Sequence, residues 1–515
     1  MMSPLLLLCL APLFQTTEIK LDHTMGMNDP QMHLGEAGGS TRKLCPDQSK
    51  FWGPGLNPGF NMPVRYFYIQ AVDSDGHNFT VSLGNVFKVS VSKDGGQHKV
   101  RAWADVIDRQ SGVYLARIRL FEEVGDLTVD VKLKTGAHVR GSPFRIAGPL
   151  FHEGCACSEP DTADWVETMQ CKSNYSQIDQ DIDQFRDISV VDLATQAHKK
   201  FDSHYHLGHY VILDNRAYSK MIGEHTGLNR KFDDMLLSLM AKVNLPDMEF
   251  IVNLRDGPIE KSKVNPMPIL SFGGSRDSAD IALPSYELTD AVLKSMHKTD
   301  IDLQNIQGNI GPEWKDKIPI GFWRGRDSRE QRLDLARLSM SYPEKVDAKL
   351  TQALFFKHVP SMYGDIVPKI PFREFFDYKF QITVDGMVSA YRVPFILGGP
   401  SVVFKQDSFF YEHFYADIEP WVHYVPFNHN LNNLIQRLNW AQENDHLAHI
   451  ISENARHFVR TELKPSDVYC YVYRLFNRYA EKQYGKVEVR KGMHELSKKR
   501  SCFKCPYNTL NKSEL

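Results

Sequence analysis

The chain has 515 residues, 61 Lys plus Arg against 63 Asp plus Glu for a formal net charge of −2, and 42% hydrophobic with 24% charged residues. This usage excludes a disordered or collagen-like chain, and the near-neutral balance leaves no global field to gather a nucleic-acid backbone. At roughly 100 to 200 residues per domain, the length implies about three packed units.

The first apolar run is PLLLLCLAPLF, Pro4 to Phe14. It is too short to cross about 30 Å of hydrocarbon but has the length of a signal-peptide h-region. Residues 1–19 are therefore read as a cleaved signal, and residues 20–47, polar and Gly-rich, as a flexible leader. No later run is long and apolar enough to span a bilayer, so no membrane span is expected. Of the 8 cysteines, Cys9 falls in the signal, which leaves Cys45, Cys155, Cys157, Cys171, Cys470, Cys502 and Cys505. In an oxidising compartment these imply up to three bridges and one unpaired thiol. Cys502 and Cys505 are read as a tail disulfide or as members of two separate bridges. Asn78-Phe-Thr, Asn174-Tyr-Ser and Asn511-Lys-Ser are candidate N-glycosylation sites.

From about residue 48 to 149 the hydrophobic pattern has period two: Phe87, Val89 and Val91 alternate with Lys88, Ser90 and Ser92, and Leu127 to Leu133 behave alike. Arg65 to Val72 and Val113 to Leu120 read as further strands, separated by Asp75-Gly76, Asp94-Gly95-Gly96 and Ser111-Gly112. Short half-buried strands at this spacing predict an antiparallel β-sandwich. Gly53-Pro-Gly-Leu56, Gly112-Val-Tyr114 and Gly141-Ser-Pro-Phe144 resemble the corresponding turns of the filamin-type immunoglobulin repeat. That resemblance implies a module that binds proteins through a sheet edge.

Residues 150–495 change rhythm to helices alternating with short apolar strands. Lys231 to Val243 reads as a helix with Met235, Leu236, Leu239, Met240 and Val243 on one face. Phe250 to Val252, Ile318 to Trp323, Phe380 to Val384 and Ser401 to Phe404 read as strands, and Asn430 to Gln442 and Asp467 to Gln483 as helices. Two α/β halves predict a pair of Rossmann-like domains, with ligands at the carboxyl ends of the strands.

Three strand ends carry candidate chemistry. Asp256, after the Phe250 strand and before Gly257-Pro258, is placed to act as a general base or simply to cap a turn. Phe322-Trp-Arg-Gly-Arg-Asp-Ser-Arg329 combines Arg324, Gly325, Arg326 and Arg329 with a capping-box spacing, Ser328 to Gln331. It reads as an anion site or as a solvated charged loop. Val384-Asp-Gly-Met-Val-Ser-Ala-Tyr-Arg392 repeats the strand, Gly turn and helix start, with amides near Met387 to Ala390 and the cation of Arg392 suited to a diphosphate. Asp179, Asp181 and Asp183 match D-x-D patterns but lie in a polar stretch without a preceding buried strand. His204, His206 and His209 are read as solvent-facing strand residues rather than zinc ligands.

Pro246-Asp-Met-Glu-Phe-Ile-Val-Asn-Leu-Arg-Asp256, Trp323-Arg-Gly325, Asp385-Gly386, Ser389-Ala-Tyr-Arg392 and Glu419-Pro-Trp-Val-His-Tyr-Val-Pro426 resemble, in this order, the CAP10-like protein O-glucosyltransferases, the family that includes Rumi. The filamin-like unit matches the KDEL-motif-containing subgroup. The resemblance implies a GT-B fold and inverting, metal-independent transfer of glucose from UDP-glucose to serine in EGF-like repeats, with no cofactor. It assigns Asp256 as catalytic base, Arg324 and Arg392 to the donor phosphates, and Gly325, Met387, Val388, Ser389, Ala390 and Tyr391 to donor binding. It also implies a Cys155–Cys470 bridge with Cys157 paired to Cys171, and EGF-repeat partners such as Notch-type receptors and extracellular matrix proteins. UDP-xylose is an alternative donor among relatives, and a non-catalytic escort acting through the filamin-like module is a reading of another class. Arg326-Asp327 replaces a more neutral stretch of the family pattern, which bears on donor fit. Residues 496–515 form a basic tail ending Lys512-Ser-Glu-Leu515, which resembles the KDEL retention address with Ser for Asp. With the signal, it points to the endoplasmic reticulum lumen and a KDEL-type retention receptor.

Overall fold

The computed structural model describes residues 42–201, 206–223, 227–262, 264–294, 303–306, 311–496, 500–501 and 505. The signal, most of the leader, His204, Cys502, Asn511 and the terminal tetrapeptide lie outside them.

The period-two segment forms two four-stranded antiparallel sheets. One runs Lys50–Trp52, Arg65–Gln70, Val113–Leu120, Ala102–Asp108; the other runs His98–Lys99, Phe87–Lys93, Val124–Leu133, Phe144–Leu150. Val89 faces Val131 and Phe87 faces Leu133 across one ladder, so the alternation sends these side chains inward to Phe67, Ile69 and Ile118 of the other sheet. The opposite face of the first sheet was expected to be solvated, and it is not. Tyr66 and Leu115, with Phe60 from the preceding loop, share a core with Trp165 and with the helix Pro465–Glu481. The Tyr66 and Ser466 hydroxyls lie 3.2 Å apart. This sheet is buried on both sides because the α/β part packs on it.

The α/β part contains two large sheets. The first is mixed, in the order Ile281–Ala282, Ile269–Ser271, Met248–Asn253, Leu207–Leu213, Arg216–Ile222, His494–Glu495. Its first three strands are parallel and the rest join antiparallel. The second is wholly parallel, in the order Val346–Gln352, Ile318–Arg326, Tyr378–Thr383, Val402–Gln406, Val425–Phe427. All six residues of Met248–Asn253 are buried, since the sheet is covered on both faces, with Phe250 and Val252 in one core and Ile251 in another; this explains the apolar run Phe250 to Val252, and Glu249 within the strand is paired with His209 and Arg490. The helix expected over 231–243 spans Asn229–Met240, and Val243 instead makes a parallel bridge to Glu159. The two α/β halves are joined by a short antiparallel pairing of Gly274–Ser275 with Phe410–Tyr411.

Cys155, Cys157, Cys171 and Cys470 are all disulfide-bonded, but not in the expected pairs. Cys171 bonds Cys470, and Cys157 bonds Cys505. The helix Thr162–Met169 lies against Pro465–Glu481, with the Trp165 and Tyr473 rings 5.0 Å apart, which brings Cys171 to Cys470. Arg500–Ser501 adds as a parallel strand to Cys155–Ala156, which brings Cys505 to Cys157. Cys45 is unpaired. Asn174 is exposed and Asn78 half-buried.

Tyr66→Ala removes a ring buried between sandwich and helix. It is expected to cost about 3 kcal/mol of unfolding free energy, and calorimetry should show sandwich and α/β part melting in one transition, at lower temperature than wild type.

Candidate active site

The three candidate segments follow the carboxyl ends of parallel strands in the two sheets and meet one another, through Tyr391 and Asp256, Val388 and Gly257, and Arg392 and Arg324. Asp256 stands three residues beyond Asn253, the last residue of its strand, and is exposed. Asn253 fixes the turn that carries it: its amide donates to Gly257 O at 2.7 Å and Ser271 Oγ at 3.0 Å, while Oδ1 accepts Arg255 N at 3.1 Å. Buried Asp280 braces the same turn, accepting Ser271 Oγ at 2.5 Å, Ile259 N at 2.9 Å and Glu260 N at 2.7 Å.

From the opposite half, Tyr391 donates its hydroxyl to the backbone carbonyl of Asp256 at 2.9 Å. Val388 reaches Gly257, where an added Cβ would sit 3.1 Å from Val388 Cγ1. Tyr286 packs edge-on to Tyr391, centroids 5.1 Å apart. Burial, then the carboxylates of Glu287 and Asp256, push the Tyr286 hydroxyl well up, so it remains a hydrogen-bond donor beside Asp256. Nearby Glu412 is wholly buried, and burial pushes its carboxyl up to about 8. Asp256 is thus an exposed carboxylate of this turn, in hydrogen-bond contact with the Tyr286 hydroxyl.

The second half supplies positive charge. Arg392 donates from Nη1 to Arg324 O at 2.7 Å, and burial lowers it to about 10. Arg332 spans Asp385 O at 2.9 Å, Val384 O at 3.2 Å and Arg326 O at 3.2 Å. Burial first, then Arg392, lowers it to about 9, with Arg326 and Arg329 adding to the repulsion. Four guanidinium groups thus crowd the ends of two adjacent parallel strands, an arrangement that favours a polyanion. Arg324 is engaged elsewhere: Nη2 pairs with Asp347 Oδ2 at 2.7 Å, and Nη1 donates to Asp347 O at 2.8 Å. Gly325 is required by packing, since a Cβ there would lie 2.5 Å from the Trp323 indole. Ser389 and Ala390 are buried, and Met387 is exposed.

A model of glycosyl transferase family 90 matches residues 166–514, a span that contains every group just described. The chain belongs to this family. It is a glycosyltransferase, preceded by a filamin/ABP280 repeat matched at residues 43–145. Protein O-glucosyltransferase 2 of Danio rerio is 44% identical over 458 residues, 88% of this chain and 91% of its own length. Protein O-glucosyltransferase 3 of Homo sapiens is 42% identical over 469 residues, 89% of this chain and 92% of its own. Human protein O-glucosyltransferase 1 is 25% identical over 340 residues, 64% of this chain and 85% of its own length.

Several expectations about the transferase change. The helix after Arg326 begins at Glu330, with Arg329 at its N-cap and no side-chain cap. Gln331 turns to His429 instead of closing a capping box, and Ser328 Oγ lies against Gly386. The helix expected just after Gly386 starts at Val393, so Met387 to Ala390 form a loop. Asp181 is buried and accepts from Gln177, Ala282 N and Tyr411, while Asp179 and Asp183 pair with Arg478. His209 is buried, not solvent-facing, and lies 2.8 Å from Glu249. Among the described residues, Asp73, Asp75 and His77 are the one grouping with metal-ligand spacing. They lie in a sandwich turn where Asp73 already accepts the amides of Asp75 and His77 and the side chain of Arg42.

Arg332, Asp280, Tyr286 and Glu412 were not flagged from sequence, and Asn253 stood in the motif before Asp256 without a role of its own. Only Arg332 had a local signal, three residues after Arg329 at the helix start.

Inorganic pyrophosphate is expected to raise the thermal midpoint of the wild type. Arg392→Ala should weaken its binding about tenfold, equivalent to about 1.4 kcal/mol, and Arg324→Ala should weaken it less, because Asp347 already holds that guanidinium. Titration calorimetry checks the order.

Proposed function

We propose that this chain transfers glucose from UDP-glucose to serine hydroxyls of folded EGF-like repeats, with inversion, in the lumen of the endoplasmic reticulum. Two relatives matched over more than nine-tenths of their own length are protein O-glucosyltransferases, which supports protein O-glucosyl transfer. The two facing α/β sheets support assignment to the GT-B fold. The observation that carries the mechanism is the juxtaposition of Asp256 with the Met387–Arg392 loop across the cleft, joined through Tyr391 and Val388.

In this reading, Asp256 removes the serine proton as the serine oxygen attacks the anomeric carbon. The bond to UDP breaks on the opposite face, so the configuration inverts. Negative charge on the departing diphosphate is met by Arg392, backed by Arg326, Arg329 and Arg332. Fixed cations of this kind lower the barrier because they need no reorganisation as charge develops. We infer that the transfer is metal-independent, since these arginines supply the charge a cation would otherwise bring. Arg324 contributes by presenting its carbonyl to Arg392 and keeping the strand end rigid. Two disulfides linking distant parts of the chain fit an oxidising lumen, and no described helix is long and apolar enough to cross a membrane.

The purified protein is expected to add a hexose mass to a folded EGF-like repeat supplied with UDP-glucose in the presence of EDTA. Asp256→Asn should lower turnover by about 10³-fold or more, in line with loss of a positioned base. A pentose gain with UDP-xylose exceeding the hexose gain would reassign the donor. Absence of either, across a panel of repeats, would favour the escort reading.

A further inference from the structure

Asp327 follows Arg326 at the end of the parallel strand Ile318–Arg326, and its carboxylate is wholly buried. It is committed to three consecutive backbone amides. Leu354 N donates to Oδ1 at 2.8 Å, and Phe355 N and Phe356 N donate to Oδ2 at 3.0 and 2.8 Å. Burial alone would raise this carboxyl, but the amides outweigh it and hold it below the usual carboxylate range. It therefore stays ionised and grips the loop throughout the neutral range.

The loop so gripped displays Leu354, Phe355 and Phe356 with 58%, 51% and 37% of their surfaces exposed. Consecutive large apolar side chains left in water are unfavourable, and a contiguous set marks a contact surface. Their position says which contact. Asp327 adjoins Ser328, whose Oγ would lie 2.9 Å from a Cβ on Gly386. Gly386 leads to Met387, itself 58% exposed, and to Val388, which meets Gly257 beside Asp256. The patch is thus tied, through Asp327, Ser328 and Gly386, to the loop that meets Gly257 beside Asp256. A serine on a polypeptide that reaches Asp256 brings its neighbouring residues toward this loop and the patch joined to it. A nucleotide sugar held at the arginines offers nothing apolar of that size.

We propose that Leu354, Phe355 and Phe356 are the docking surface for the acceptor protein, receiving apolar side chains next to the modified serine, and that Asp327 is the positioning residue that holds them. This rests on the protein-acceptor reading given above.

The test uses the full-length protein, with a Leu354→Ser, Phe355→Ser, Phe356→Ser triple variant and, separately, Asp327→Asn. Transfer to a folded EGF-like repeat is followed at steady state. Binding of the same repeat is titrated on UDP-loaded Asp256→Asn protein with and without the triple change. UDP affinity and sedimentation are measured for each variant. The triple variant is expected to raise acceptor KM and weaken repeat binding by about tenfold or more, with kcat and UDP affinity within about twofold, the pattern of lost uniform binding. Asp327→Asn, which keeps one acceptor oxygen, should give a smaller KM rise with UDP affinity unchanged. Unchanged acceptor KM and binding in the triple variant overturns the proposal. So does a kcat loss that tracks lost UDP affinity, or a wild-type dimer that the triple variant dissociates. Patch-dependent binding without any transfer by the wild type upholds the docking surface and fails the transfer reading. Neither binding nor transfer overturns both.

Discussion

Holding several arginine side chains together inside a protein is the constraint on which this active site depends. Each guanidinium loses hydration on burial and repels its neighbours, so the fold must meet their N–H groups with fixed oxygens. Here backbone carbonyls at strand ends do so: Asp385, Val384 and Arg326 for Arg332, and Arg324 for Arg392. Carbonyls satisfy hydrogen bonds without cancelling charge. The guanidinium charges of Arg332 and Arg392 are therefore not cancelled by these partners. Asp347 shows the contrast, since its carboxylate pairs with the Arg324 guanidinium and offsets its charge.

The facing side of the cleft uses the same device with opposite polarity. Asn253 and Asp280 occupy the donors and acceptors of the turn after the buried strand, so Asp256 is carried on a braced mount and is itself exposed. Tyr391 and Val388 bridge to that mount from the donor loop. These contacts connect the turn of Asp256 to the loop that leads into Arg392. In the proposed reaction, such a connection suits a geometry that must be held within a fraction of an ångström.

The filamin-type repeat is part of this frame. One of its sheets is covered by its own sandwich on one face and by the helix Pro465–Glu481 on the other, through Phe60, Tyr66 and Leu115. Cys470 of that same helix is tied to Cys171. The repeat therefore acts as a wall of the transferase, and any partner it binds must use surfaces other than this sheet face.

The sequence by itself determined what depends on neighbours within a turn or a strand. Period-two alternation specified the sandwich, and the short apolar run Phe250 to Val252 before Asp256 marked a strand buried on both faces. Gly turns with arginines marked the strand ends where an anion would sit. Tertiary structure decided what depends on residues far apart in the chain. It decided that Tyr66 faces a helix 400 residues away rather than water, and that His209 is buried against Glu249. It decided that Cys171 meets Cys470 while Cys157 meets Cys505, because helix packing and a late strand bring those pairs together. Arg332 and Asp327 read locally as surface charges. Only the packed fold shows that one is enclosed by carbonyls and the other by three amides of a loop more than 25 residues on. Local patterning restricts backbone conformation, but the partner of a buried polar group is set by the surface that folding places opposite it.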